Sequence, residues 1–269
     1  MSQPLDGSWA KLERAKAYVD TLRDEIAETT GGELQAIPLH RSYETEQGAV
    51  VYRVESIPEI RDTWGLLIGD ALHNLRCALD HLWWQVAVKH LGRDPTEDEA
   101  KEIQFPIFSK PAFLTDPSRW KNHPYLRHVD PAHAAKAELL QPYHGMPPGE
   151  LHPLEALATL SNIDKHRVLH TVFRPAYQAV VQVPSPEHYR DCVPTSDPGL
   201  IVLSGLGVLQ AGDEVVRIEV TPAGPDPDVD LRANLTANIS IHDNWNPVDT
   251  LDGIGAQIAL ILEAFEPLL

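Results

Sequence analysis

Residues 59–91 read EIRDTWGLLIGDALHNLRCALDHLWWQVAVKHL, an apolar helix interrupted by Asp70, His73, Asn74, Cys77, Asp80 and His81. At about 100° per residue, Asn74 and His81 fall within about 40° of Asp70 on one side. Cys77, Trp84, His73 and Asp80 fall within about 80° on the other. Leu67, Ala71, Leu75, Ala78, Leu79, Leu82 and Val86 occupy the opposite arc, and Arg76 stands at the boundary. A solvated helix face is usually rich in Lys and Glu, yet neither occurs between residues 60 and 88. Polar groups withdrawn from water cost free energy unless they are paired, so this stripe marks either a packing network or a site.

The segments on either side supply the partners for such a helix. Residues 8–29 carry Trp9, Leu12, Tyr18, Val19, Leu22 and Ile26 at helical spacing, with Ser8 as the expected N-cap and Gly31-Gly32 as the stop. Residues 35–57 alternate around Glu46-Gln47-Gly48 and predict a hairpin, after which Pro58 suits the start of the long helix. From Gly92 to Gly149 the chain is rich in Pro and His and poor in period, with a short helix expected at 131–140. This stretch is expected to act as a strap, packed on the helices through Phe105, Phe108, Phe113, Trp120 and Tyr125. Its histidines, 123, 128, 133, 144 and 152, fit no metal template and receive no role. Residues 151–167 return to helix, β-rich runs follow near 177–183, 199–204, 213–220 and 229–241, and an amphipathic helix at 248–266, capped by Asp249 or Thr250, closes the chain.

The expected fold class is therefore α+β: a helical bundle with an N-terminal hairpin and a β-rich insertion before the C-terminal helix. A single domain over 1–269 is expected, its bundle core at 1–169 and 246–269 and its appended part at 170–245. With 43% hydrophobic and 23% charged residues the composition is that of a globular protein, and no stretch reaches the roughly 20 apolar residues of a membrane span. Without a basic-then-apolar leader in MSQPLDGSWAKLERAK, a cytoplasmic setting is expected. The net charge of −17 repels polyanions, so DNA and membranes are not expected as partners, though a local basic pocket is compatible with it. The two cysteines, Cys77 and Cys192, supply neither a disulfide framework nor a Cys-based zinc knuckle.

Arg76-Cys-Ala-Leu-Asp-His81 matches the R-x4-6-H pattern of HEPN-domain ribonucleases, inside a long helix, where that family carries it. The resemblance implies a metal-independent, cofactor-free endoribonuclease or RNA- or nucleotide-binding protein of toxin or phage-defence type. It also implies a homodimer in which Arg and His of two protomers share one cleft. Arg76 and His81 would then be the catalytic pair, with Asp80 and Asn74 as orienting groups. The family often has Asn, Asp or His directly after the Arg, where this chain has Cys77. The chemistry suits the residues: an imidazole exchanges the protons of the ribose 2′-OH and the leaving oxygen, and a guanidinium spreads over a crowded anion. The strings GDALHNLRCALDHL, FPIF, LQPY and LSNIDKHR are also similar to a family of bacterial proteins, mainly actinobacterial, with no assigned activity.

A second constellation is Asn162-Ile-Asp164-Lys165-His166-Arg167. One reading is capping of a helix C-terminus by cations. The other makes Asp164 an orienting group for His73 or His81 and lets Lys165, His166 and Arg167 hold a phosphate, with His73 as a further substrate contact. Two alternatives to the nuclease stay open: a non-enzymatic protein with a buried polar network, and a metal-dependent hydrolase using His73, Cys77 or His81 with Asp70, Asp164 or His166.

Overall fold

The computed structural model describes residues 4–30, 35–109, 116–144, 151–166, 172–175, 179–181, 189–195, 201–203, 208, 210–229, 236–242 and 245–269. Within them the fold is mixed α+β, with helices α1 (Asp6–Thr30), α2 (Asp62–Leu91), α3 (Glu97–Ala100), α4 (Pro117–Lys121), α5 (Pro131–Glu138), α6 (Pro153–Asp164) and α7 (Pro247–Phe265). The chain divides into two compact units, one of residues 1–23, 62–170 and 247–269, the other of residues 24–61 and 171–246. The expected hairpin thus belongs with the β-rich part, not with the bundle core. Among the described residues no helix is long and apolar enough to cross a membrane.

The first unit is built on α2. Its buried side chains, Trp64, Ile68, Leu72, Leu75, Leu79, Leu82, Trp83 and Val86, meet Leu154, Leu157 and Leu160 of α6 and Ile254, Ile258, Ile261 and Phe265 of α7. Leu12, Ala15, Val19 and Leu22 give α1 its buried face. α1, α2 and α7 converge at Gly255, where an added Cβ would lie 3.8 Å from Leu12 Cδ1 and 3.9 Å from Leu75 Cδ2. Burying such aliphatic side chains is worth about 1.5–3 kcal/mol each, so the apolar arc of α2 dominates this unit.

The strap does pack on α2. Phe105 is fully buried edge-on to Trp83, ring centroids 5.4 Å apart, and Trp83 Nε1 donates to the Tyr125 carbonyl at 2.8 Å. Phe108 meets Trp120 edge-on, while Phe113 lies outside the described residues. Buried Gln141 ties the strap to α5, its Nε2 donating to the Pro106 and Ala137 carbonyls and its Oε1 accepting from Phe108 N.

The strap holds more helix than its sequence pattern announces. Thr96 and Glu99 form a reciprocal capping box on α3. Asp116, Asp130 and His152 cap α4, α5 and α6, each directly before a proline at the first helical position. The histidines also have work. His123 and His152 accept backbone N–H groups through Nδ1, and burial lowers the pKa of both, which keeps that nitrogen an acceptor. Buried His133 stacks on Phe265, and His128 pairs with Glu102 at 3.0 Å.

Three expected helix starts shift. α1 begins at Asp6, which places Ser8 inside the first turn and not at the cap. α2 begins at Asp62, four residues beyond Pro58. α7 begins at Pro247, two residues before Asp249.

In the second unit β1 (Leu39–Glu44) and β2 (Ala49–Val54) form the hairpin, closed through Gly48 at φ +58°, a region glycine enters without strain. With β3 at Cys192–Pro194 and β4 at Glu214–Pro222, the hairpin joins an antiparallel sheet in the order β1-β2-β4-β3. All of β2 except Arg53 is buried, and Tyr52 Oη donates to the Val229 carbonyl. On the other face Arg53 and Arg217 share Glu44 and Glu214, which holds both carboxyls below their ordinary range.

Candidate functional site

The polar stripe of α2 does not act as one cluster. Three separate local arrangements divide its residues, each fixed by a different neighbour.

Arg76 and Asp80, one helical turn apart, grip the backbone N–H and C=O of a single residue of the strap, Phe105. Arg76 Nη2 donates to the Phe105 carbonyl at 2.7 Å, and Phe105 N donates to Asp80 Oδ1 at 3.0 Å. The two side chains also pair with each other, Nη2 to Oδ1 at 3.1 Å and Nε to Oδ2 at 3.3 Å. Both polar groups of a buried backbone unit are thereby satisfied by one i, i+4 pair. The Nη1 end of the guanidinium has no partner among the described residues, and 17% of the side chain remains exposed.

The second arrangement faces α6. A Cβ at Gly69 would lie 2.6 Å from Asp164 Oδ1, so any larger residue there displaces the Asp164 carboxylate. Burial and the nearby Asp70 raise the Asp164 pKa, which His73 partly offsets. Asp164 makes no hydrogen bond to His73 or His81 among the described residues, so the orienting role expected of it has no direct contact behind it. His73 instead lies with Nε2 3.5 Å from Cys77 Sγ. Burial raises the Cys77 pKa, opposed by Lys11. Asn74, 8% exposed, donates to the Asp70 carbonyl at 2.8 Å and accepts from Lys11 Nζ at 3.4 Å; it is tied to its own helix and to α1, away from His81. Lys165 and His166 are exposed beyond the end of α6 and make no hydrogen bond or ion pair to a stripe residue among the described residues, while Arg167 lies outside the described residues. Among the described residues no three His, Cys, Asp or Glu side chains come together as a metal-binding group.

The third arrangement centres on His81. Its side chain is exposed and has no hydrogen-bond or ion-pair partner among the described residues. It lies on the wall of a pocket of about 440 Å³ with Pro4, Gly7, Ser8, Asp80, Trp84, Gln85 and Ile103. A Cβ on Gly7 would lie 3.2 Å from His81 Nδ1, so the imidazole sits against the first turn of α1. Asp80 joins this pocket to the Arg76 clamp, lining one while bonded in the other.

The structure therefore puts Arg76, Asp80 and His81 in one neighbourhood and leaves Asn74, His73, Asp164 and Lys165 out of it. Gly7 and Gln85 are pocket residues that the sequence did not single out, and Ser8, read there as a cap, lines the pocket instead. Nothing in the pattern of α1 reveals that its first turn abuts His81, since that contact joins residues more than seventy positions apart. An unpartnered imidazole beside a pocket can exchange protons with a bound group, and a half-free guanidinium one turn away can attract an anion. No protein-family model, no curated protein and no solved structure matches this chain.

Proposed function

We propose that the protein is a HEPN-like, metal-independent endoribonuclease of the cytoplasm, acting on an RNA phosphodiester at the His81 pocket. The observation that carries this reading is His81 itself, unpartnered on the wall of a pocket large enough for a nucleotide. In this scheme His81 takes the proton of the ribose 2′-OH or returns one to the leaving 5′-oxygen. Arg76 stabilises the transition-state charge through its unoccupied Nη1 end. Asp80 holds Arg76 in place and does not touch the substrate. Arg76 and His81 face different neighbours within one chain, which agrees with a shared cleft in which a second copy supplies the complementary member of the pair.

The test is cleavage of a single-stranded RNA by the full chain in the presence of EDTA. The expected result is chain scission that falls at least 100-fold in His81→Ala and also falls in Arg76→Lys. Equal rates for the parent and His81→Ala would refute the reading.

A second reading has its own observation. The Arg76–Asp80 grip on Phe105 is the pattern of a packing network, and it supports a non-enzymatic protein in which the stripe is scaffold. Binding of RNA without scission, unaffected by His81→Ala, would favour it.

A further inference from the structure

We infer that Trp84 and Gln85 form a nucleobase subsite in the His81 pocket, with adenine as the base it prefers; this rests on the reading just given and names the nucleotide that the site takes.

The register of α2 places both residues. Gln85 lies four residues after His81 and Trp84 four after Asp80, so the two pairs form adjacent ridges of one helix face. Helical side chains lean back toward the N-terminus, which brings Gln85 over His81 and Trp84 over Asp80. One turn separates the members of each pair, about 6 Å along the axis, comparable to the reach from the phosphate of a nucleotide to its base. A nucleotide whose 2′-OH and 3′-phosphate meet His81 therefore carries its base to Trp84 and Gln85.

Charge and shape both suit a base there. Among the described residues the lining holds no Lys or Arg, and its one carboxylate, Asp80, has both oxygens engaged, by Arg76 and by the Phe105 N–H. Such a pocket takes a neutral ring and leaves the phosphate to His81 and the Arg76 guanidinium. Trp84 is half-buried on its wall, and Ile103, 8% exposed, lines it from the strap. The grip of Arg76 and Asp80 on Phe105, two residues on, fixes where Ile103 stands. Aromatic and apolar side chains of this kind are the surfaces on which bases stack.

Hydrogen bonding selects the base. Trp83 Nε1 is satisfied by the Tyr125 carbonyl, but the Gln85 amide and Trp84 Nε1 have no hydrogen-bond partner among the described residues. A free amide offers a donor and an acceptor side by side, the complement of adenine N7 and N6. Guanine N7 and O6 are both acceptors and call for an Arg or Lys, which the described lining lacks. Pyrimidines can match an amide, but they give Trp84 one ring to cover in place of two.

The test is calorimetric titration of the full chain, in EDTA, with adenosine, guanosine and uridine 3′-monophosphates. The adenine nucleotide is expected to bind about tenfold more tightly than the other two. Gln85→Glu keeps the size of the side chain and removes its donor, so the three affinities should come within about twofold of one another. Trp84→Ala should weaken all three by about tenfold, whereas Trp84→Phe, which keeps a ring in the same place, should retain most of the affinity. Absence of binding, equal affinities in the parent, or an unchanged adenine preference in Gln85→Glu overturns the inference. So does a Trp84→Ala protein that binds as the parent does. Gln85-dependent, adenine-selective binding in a chain that cleaves no RNA upholds the subsite and sinks the nuclease. His81-dependent cleavage with no Gln85-dependent preference for the base 5′ to the scissile bond sinks the subsite and leaves the nuclease standing.

Discussion

Replacing Arg76 by Ala should separate the clamp from the pocket in a single stability measurement. The substitution removes a charge-assisted hydrogen bond to the Phe105 carbonyl at 2.7 Å and the pairing with Asp80 at 3.1 Å. A hydrogen bond to a charged group contributes about 1.5–3 kcal/mol. The Arg76 side chain is 17% exposed and that of Asp80 31%, so the ion pair itself adds only about 0.5 kcal/mol after screening. A loss of about 2–3.5 kcal/mol follows, because Phe105 is fully buried and its carbonyl loses the donor that satisfies it. His81→Ala removes an exposed side chain without a partner and should change stability by no more than about 0.5 kcal/mol. Urea unfolding followed by tryptophan fluorescence reads the correct unit, since Trp9, Trp64, Trp83, Trp84 and Trp120 all belong to it. For a unit of this size the Arg76 loss corresponds to a fall in Tm of roughly 5–10 °C. An Arg76→Ala protein within about 0.5 kcal/mol of the parent would refute the clamp. So would a His81→Ala protein that loses as much as Arg76→Ala.

Three further outcomes follow from particular contacts. Gly69→Ala should cost about 1–3 kcal/mol by forcing its Cβ onto the Asp164 carboxylate, and the Gly69→Ala/Asp164→Ala double variant should recover most of the loss in the same urea assay. His152→Ala should cost about 1 kcal/mol near pH 8, where the neutral ring caps α6. Because burial lowers the His152 pKa below its ordinary 6.5, that stabilisation is present above the ordinary value and lost as pH falls through the lowered one; the gap between His152→Ala and the parent should close in acid. In the β-rich unit, Arg217 and then Arg53 hold the Glu44 pKa below its ordinary 4.5, so stability present above that value is lost as pH falls through the lowered one. Circular dichroism during acid titration should show this loss shifted or flattened in Glu44→Gln.

Much of the architecture was legible in the residues, for a local reason. α2 and α7 carry long apolar periods, and the hairpin carries alternation around a glycine that adopts φ +58°, so both signals lie within one element. The capped starts in the strap are legible in principle, since Asp-Pro and His-Pro steps at 116–117, 130–131 and 152–153 mark helix entry, though histidine is an unusual cap. The partnering of the hairpin was not legible. β2 pairs with β4 across more than 150 residues, and nothing in either strand names the other.

The candidate site divides in the same way. The residue string alone makes α2 amphipathic with a polar stripe, because a fixed angle per residue converts spacing into faces. It also determined that this stripe was chemically unlike an ordinary wet helix face. What each stripe residue does is set by the neighbours that folding brings to it. Arg76 and Asp80 hold the backbone N–H and C=O of Phe105, Asn74 turns to Lys11 and its own helix, and Asp164 closes on Gly69; His81 meets the start of α1. Those assignments depend on which neighbour arrives within about 3 Å of which atom. Such contacts form when the apolar arcs of four helices dock, and the energy of that docking is spread over side chains that carry none of the chemistry.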